Sequence, residues 1–188
     1  MAFIAVYDAC VLFPPPLRDL LVRLALTGLF QAKWTGQILD ECFRNISTQR
    51  PDLKPELLAR SRQLLELAIP NWRVQGYDSL IEGVTGLPDP DDRHVLAAAI
   101  RCGAQVIVTF NLRDFPSKVL ARFDIEAQHP DDFVRNLLDL DEPAVVRVVQ
   151  EQAAALKNPR RTAVELLGVL RQQGLFDSVA KLARLLGP

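Results

Sequence analysis

The chain has little cysteine. Cys10, Cys42 and Cys102 are far apart and form no Cys-x-x-Cys pair. That argues against a disulfide framework and a thiolate zinc site, and leaves three small buried hydrophobes of a reducing compartment. Histidine is scarcer still, with His94 and His129 alone. Neither falls at a suggestive spacing from a serine and an acid, and no Gly-x-Ser-x-Gly is present, so a serine-hydrolase triad has no support. Walker and Gly-x-Gly-x-x-Gly loops are missing, which argues against the common nucleotide-binding frames. Positive charge is not in excess. The net charge is −1, and neither side of His129 is basic, so any contact with nucleic acid must come from a local patch. No run approaches the roughly 18 apolar residues of a membrane helix, and the N-terminus lacks a basic stretch followed by an apolar one. A soluble cytoplasmic protein with no membrane attachment is the expectation.

What is present suits one full domain with a small appendage, since 188 residues with 49% hydrophobic content can bury a well-packed core. Residues 3–7 are short and continuously apolar, the mark of a strand buried on both faces. Pro14-Pro15-Pro16 predicts a stiff connection. Helical spacing follows over 17–30, 37–45 and 55–67, with short strands expected at 33–35 and 72–75. Leu87 to Asp92 reads as a turn feeding a helix that runs to Cys102 and stops at Gly103. Residues 105–109 form a β-branched strand, and 111–116 the loop after it. Strands alternating with helices imply a parallel sheet, with ligands beyond the carboxyl ends of its strands. After His129 only helices are expected, over 131–138, 142–156, 163–173 and 176–186. Thr162-Ala163-Val164-Glu165 matches a capping box. The division predicted is residues 1–128 and 129–188.

The chemistry rests on acids at element ends. Asp8 closes the first strand, where a plain turn residue would also serve. Asp92 is more telling. On a helix over 92–102 at about 100° per residue, Val95, Leu96, Ala99, Ile100 and Cys102 share one face. Asp92 falls in the middle of it and Asp89 near it, while Arg93 and His94 point outward. An acid aimed at a core is costly unless a cation or hydrogen bonds neutralise it; the plainer role for both is helix capping. Asp40 and Glu41 flank the apolar stripe of the 38–46 helix from opposite sides, and the wheel does not choose between them. An exposed Asp40–Arg44 pair would leave Glu41 for a site. Asn111 and Asp114 sit in the loop after the strand ending at Thr109. Carboxylates gathered at strand ends, with little other catalytic chemistry, point to a divalent metal site and a phosphodiester-cutting enzyme.

Four segments carry a family resemblance: Asp8-Ala9-Cys10-Val11-Leu12, Leu39 through Asn45, Leu87 through Ala99, and Val108 through Pro116. In this order and at these intervals the chain resembles the PIN-domain family over residues 3–128. The resemblance implies a three-layer α/β/α fold on a parallel central sheet, with the all-helical C-terminal appendage resembling an extension found in some members. It implies a Mg²⁺- or Mn²⁺-dependent endoribonuclease, often a VapC-type toxin with an antitoxin partner, and often a homodimer.

The acidic positions that the resemblance carries over are Asp8, Glu41 and Asp92, with Asp89 as a neighbour. Where the family often has a fourth Asp this chain has Asn111, and Asp114 three residues on is a compensating candidate. Asp8, Asp92 and Asp114 are the metal-coordinating candidates, Asp89 joins them, and Glu41 is assigned to position the attacking water. Such an ion makes a bound water more acidic and stabilises charge on the reacting phosphate. Thr109 and Asn111 are orienting candidates, and Arg44, Arg93 and Arg113 are candidates for holding RNA phosphates. Two rivals stand beside this reading. One is a degenerate PIN module that binds RNA or protein without cutting. The other is a haloacid-dehalogenase-like phosphatase, which places a second Asp two residues after the first; Cys10 stands there instead.

Overall fold

The computed structural model describes residues 2–187. The chain runs β1 (Phe3–Tyr7), α1 (Ala9–Leu12), α2 (Pro15–Leu26), β2 (Phe30–Lys33), α3 (Gly36–Gln49), α4 (Pro55–Ala68), α5 (Asp78–Ile81), α6 (Arg93–Cys102), β3 (Val106–Val108), α7 (Ser117–Leu120), β4 (Glu126–Gln128), α8 (Pro130–Leu140), α9 (Glu142–Ala155), α10 (Ala163–Gln172) and α11 (Asp177–Leu186). The four strands pair in the order β2-β1-β3-β4, all parallel. Helices cover the sheet in a three-layer α/β/α arrangement, with α6 along β1 and β3.

β1 is central, and its alternating side chains explain the packing. Phe3 and Tyr7 point the same way. Both meet Phe30 of β2, with ring centroids 5.6 and 6.3 Å away, and both meet Phe133 of α8 edge-on at 6.3 Å. Phe133 stands edge-on to Phe30 at 5.0 Å. Such aromatic pairs add about 0.5–1.5 kcal/mol each beyond the area they bury. The first helix after His129 thus seals the sheet's aromatic face. The Tyr7 hydroxyl satisfies itself on the Leu21 carbonyl of α2 at 3.1 Å.

Several sequence expectations need correction. The proline run is no mere connection: Pro15 and Pro16 open α2, because a first turn needs no amide donor from them. The strand expected at 33–35 lies earlier, at Phe30–Lys33, and Trp34 makes only an isolated bridge with Arg73. The expected stop at Gly103 is present. It takes a left-handed conformation, φ +67°, which a side chain would strain. The capping box at Thr162 and Glu165 is formed in both directions.

The later helices are fastened by side-chain caps that periodicity does not reveal. Asp131 of α8 accepts from the amides of Phe176, Asp177 and Ser178 at 2.8–2.9 Å, and from the Ser178 hydroxyl. It is an N-terminal cap for α11 supplied by another helix. Those donors hold its carboxyl below the usual range, outweighing the upward push of burial. Gln173 accepts from Leu17 N at 3.1 Å, and Gln152 donates to the Pro16 carbonyl at 2.9 Å. Both attach the C-terminal helices to the start of α2.

Candidate active site

The parallel sheet brings the carboxyl ends of β1 and β3 side by side, with Tyr7 opposite Val108. The next residues are therefore neighbours, and Asp8 N donates to the Val108 carbonyl at 3.1 Å. Asp8 then caps α1, accepting from Ala9 N at 2.7 Å through Oδ1. Its other oxygen accepts from the Thr109 hydroxyl at 2.7 Å and the Cys10 thiol at 3.2 Å. Thr109 Oγ1 in turn accepts from Asn111 N at 3.0 Å, and Cys10 Sγ from Phe110 N at 3.3 Å. Asp8 is 3% exposed. Burial raises its pKa, the three donors oppose this, and Glu41 adds to the rise. Burial and the adjacent Asp8 push the Cys10 thiol well up, so it stays protonated and donates. Cys10 was expected as a buried hydrophobe. It is a bonded part of the site.

Above Asp8 opens a cleft. One lobe of about 270 Å³ is lined by Asp8, Cys10, Glu41, Asn45, Asp92 and Asn111 among others. A second, of about 510 Å³, shares Glu41, Asn45, Asp92 and Asn111 and adds Gln37, Arg44, Asp89, Asp91, His94 and Asp114. Four segments distant in sequence thus meet here. Thr35 caps α3, and α3 presents Glu41 and, one turn on, Asn45. Asp89 caps a short 3₁₀ turn, Pro90–Asp92, by accepting from Asp91 N at 2.8 Å. That turn sets Asp92 at the mouth of α6. Another short turn, Leu112–Asp114, carries Asp114.

The electrostatics of the cleft are adverse. Asp92 is pushed up to about 7, first by burial and then by Asp8, Asp114, Asp89 and Glu41. Among the described residues, neither the Asp92 nor the Asp114 carboxylate accepts a protein hydrogen bond. Capping, the plain alternative for Asp92, is therefore not its job: it stands at the cap position of α6 with no side-chain bond. Asp89 does cap, and also lines the cleft.

One outward-pointing expectation and one pairing fail. His94 is 5% exposed, because α6 is buried nearly all round from His94 to Ala99; a single-stripe wheel does not describe a helix packed on several sides. Its Nε2 lies 3.5 Å from Glu41 Oε2. Asp40 pairs with Arg62 of α4 rather than with Arg44, which leaves Arg44 at the cleft. Arg113 is exposed and lines neither lobe. Asn45, Gln37 and His94 were missed as site residues. Asn45 and Gln37 are legible from their one-turn spacing to Glu41 on either side, whereas His94 carries no such signal.

Among the described residues, no three His, Cys, Asp or Glu side chains converge tightly enough to share one ion. The acids line the walls without meeting at a point. Their chemistry nonetheless fits a hard divalent cation, since carboxylate and amide oxygens dominate the lining. A cation would also offset the burial and the repulsion that raise Asp92.

Parallel topology, with acids from four segments over the ends of β1 and β3, defines a class. A PIN-domain model matches residues 5–113, and the chain belongs to the PIN-domain family. A second model, described as the VapC50 C-terminal domain, matches residues 130–184. The chain is 44% identical over 98 residues to a protein of Mycobacterium tuberculosis (strain ATCC 25618 / H37Rv) named "Putative ribonuclease VapC50". The aligned stretch covers 52% of this chain and 57% of that relative. No solved structure matches the chain. No helix among the described residues is long and apolar enough to cross a membrane.

Proposed function

We propose that the protein is a divalent-metal-dependent endoribonuclease that cuts RNA phosphodiester bonds, and that it is the toxin of a toxin–antitoxin pair. One observation carries the reading. Six acids from four segments are gathered at one cleft against their mutual repulsion, and among the described residues the Asp92 and Asp114 side chains have no structural bond to account for their presence. Proteins keep such costly groupings where function needs them. The name of the curated relative supports the same activity.

Asp8, Asp92 and Asp114, with Asp89 beside them, would hold Mg²⁺ or Mn²⁺. When bound, the ion supplies charge to offset that on the reacting phosphate and makes the attacking water more acidic. The chain's own groups do the rest. Thr109 and Cys10 fix the Asp8 carboxylate by donating to one of its oxygens. Glu41, which also lines the cleft, would position the attacking water. Asn111 and Arg44 line the cleft where an RNA backbone would pass, and Arg113 stands outside it as a more distant phosphate contact. In this reading residues 1–128 carry the chemistry and 129–188 form the extension that closes the sheet.

An antitoxin partner has a surface available. An apolar cavity of about 340 Å³, lined by Phe13, Phe43, Ile46, Leu53, Leu57 and Leu58 among others, shares Phe13 and Gln49 with the acid cleft. An apolar side chain seated there would bring its own chain across the site. Homodimerisation and a cytoplasmic setting complete the reading.

The test is cleavage of single-stranded RNA with Mg²⁺ or Mn²⁺, chelator and the Asp92→Asn variant as controls. Equal cutting by wild type and variant would reject the assignment. A second reading, a PIN module that binds RNA or protein without cutting, draws on Asn111 and on the lack of a converged ligand set. Calorimetric titration with Mn²⁺ separates the two, because a scaffold has no need of the ion.

A further inference from the structure

His94 lies on α6 two residues beyond Asp92, is 5% exposed, and has its two ring nitrogens in different surroundings. Nδ1 is buried without a hydrogen-bond partner. Nε2 lies 3.5 Å from Glu41 Oε2, and the residue lines the cleft. A ring nitrogen facing a carboxylate must carry the proton, because two lone pairs would repel. In the neutral ring Nδ1 is then a bare acceptor, and under-satisfied buried acceptors are tolerated more readily than orphaned N–H donors. An unpartnered buried nitrogen still needs a reason, and Glu41 supplies one. Among the described residues, no group is hydrogen-bonded to the Glu41 carboxylate, His94 being its ion-pair neighbour, while Asp8 and Asp92 repel it. At 3.5 Å the contact is an ion-pair distance, longer than a good hydrogen bond.

We infer that His94 is a positioning residue that holds the Glu41 carboxylate over the cleft by donating from Nε2. Its importance to turnover rests on the nuclease reading above, but the contact itself does not. It joins α3 to α6, so the helix that presents Asp92 also orients the acid facing it. Partners of this indirect kind typically change activity by about 10–100-fold when removed.

The test has two arms. Imidazole ¹⁵N shifts of the intact protein should show His94 as the Nε2–H tautomer, and its Nε2 resonance should move in Glu41→Gln. An Nδ1–H tautomer, or no response to Glu41→Gln, overturns the inference. In RNA cleavage, His94→Phe fills the same buried space without a donor, and should lower kcat about 10-fold with KM nearly unchanged. His94→Gln returns a donor and should recover most of the loss. Thermal melts identify any variant that fails to fold. Wild-type rates from His94→Phe, or equal losses in both variants, overturn the inference. If wild type cuts no faster than Asp92→Asn, the nuclease reading fails, and the ¹⁵N arm alone decides the contact.

Discussion

Asp92→Asn should stabilise the metal-free protein while abolishing its activity. The Asp92 pKa is raised from 3.8 to about 7 by burial and by four neighbouring acids. In full, that is a loss of about 4 kcal/mol in preference for the charged form. The side chain is half-buried, so solvent screens much of the repulsion and about 1–2 kcal/mol is the reasonable expectation. The sign follows from proton linkage. Between the unfolded value near 4 and the folded value near 7, the native state holds a proton that the unfolded chain has released. The contribution of Asp92 to stability is therefore most favourable below pH 4 and declines until pH has passed 7. Asparagine forfeits no hydrogen bond here, because the carboxylate accepts none from the protein. Thermal melts in chelator at pH 8 should thus place Asp92→Asn about 2–8 °C above wild type. The gap should narrow at pH 5, and added Mg²⁺ should close it by stabilising wild type alone. A variant less stable than wild type at pH 8, or a gap independent of pH, would show that Asp92 is bonded rather than repelled.

Mg²⁺ or Mn²⁺ should raise the melting temperature of wild type, with most of the gain lost in Asp8→Asn; an unchanged response in that variant would remove Asp8 from the ligand set. Asp131→Ala leaves three amides and the Ser178 hydroxyl without their acceptor, and should cost about 2–4 kcal/mol by chemical denaturation at pH 7. Asp131 is held below its usual pKa, so its contribution is present above about pH 4 and lost as pH falls through the folded value. Wild type and Asp131→Ala should therefore converge in acid. Thr109→Val removes the 2.7 Å donor to Asp8 at constant shape, and should raise the Asp8 pKa, read by carboxyl ¹³C titration of the metal-free protein.

How far the sequence was legible follows from how local each cause is. The apolar run at 3–7, Gly103 and the Thr162 box declare themselves within a few residues, and all three lie where expected. Asp92 was legible because one helix wheel contains both the acid and the apolar face it interrupts. Glu41 was not separable from Asp40 by that means, since the deciding contact, Arg62 with Asp40, comes from a different helix. The burial of His94 is hidden for the same reason: α6 is packed on more sides than a single stripe suggests. The cap that Asp131 places on α11 spans 45 residues, and no periodicity encodes it.

The C-terminal helices bear on the acid cleft through a short chain of contacts. Gly174, in the turn between α10 and α11, has φ +96°, and a Cβ there would lie 3.4 Å from the Phe110 ring and 3.7 Å from His129. Phe110 and His129 are themselves packed edge-to-face at 5.1 Å. Phe110 is also the residue whose amide donates to Cys10, and Asn111 beside it donates to Thr109. The backbone that presents Asn111 and leads to Asp114 is thus held from below by the Asp8 network and from the side by the α10–α11 turn. That turn is in turn fixed by the bond from Leu17 of α2 to Gln173 and by Asp131 of α8, which accepts from Phe176. A cleft whose acids repel one another tends to open, and a loop braced on two sides resists that tendency better than one anchored only at its strand. Beyond covering Phe30 and Tyr7, the C-terminal helices thus pack, through the Gly174 turn, against the backbone that carries Asn111.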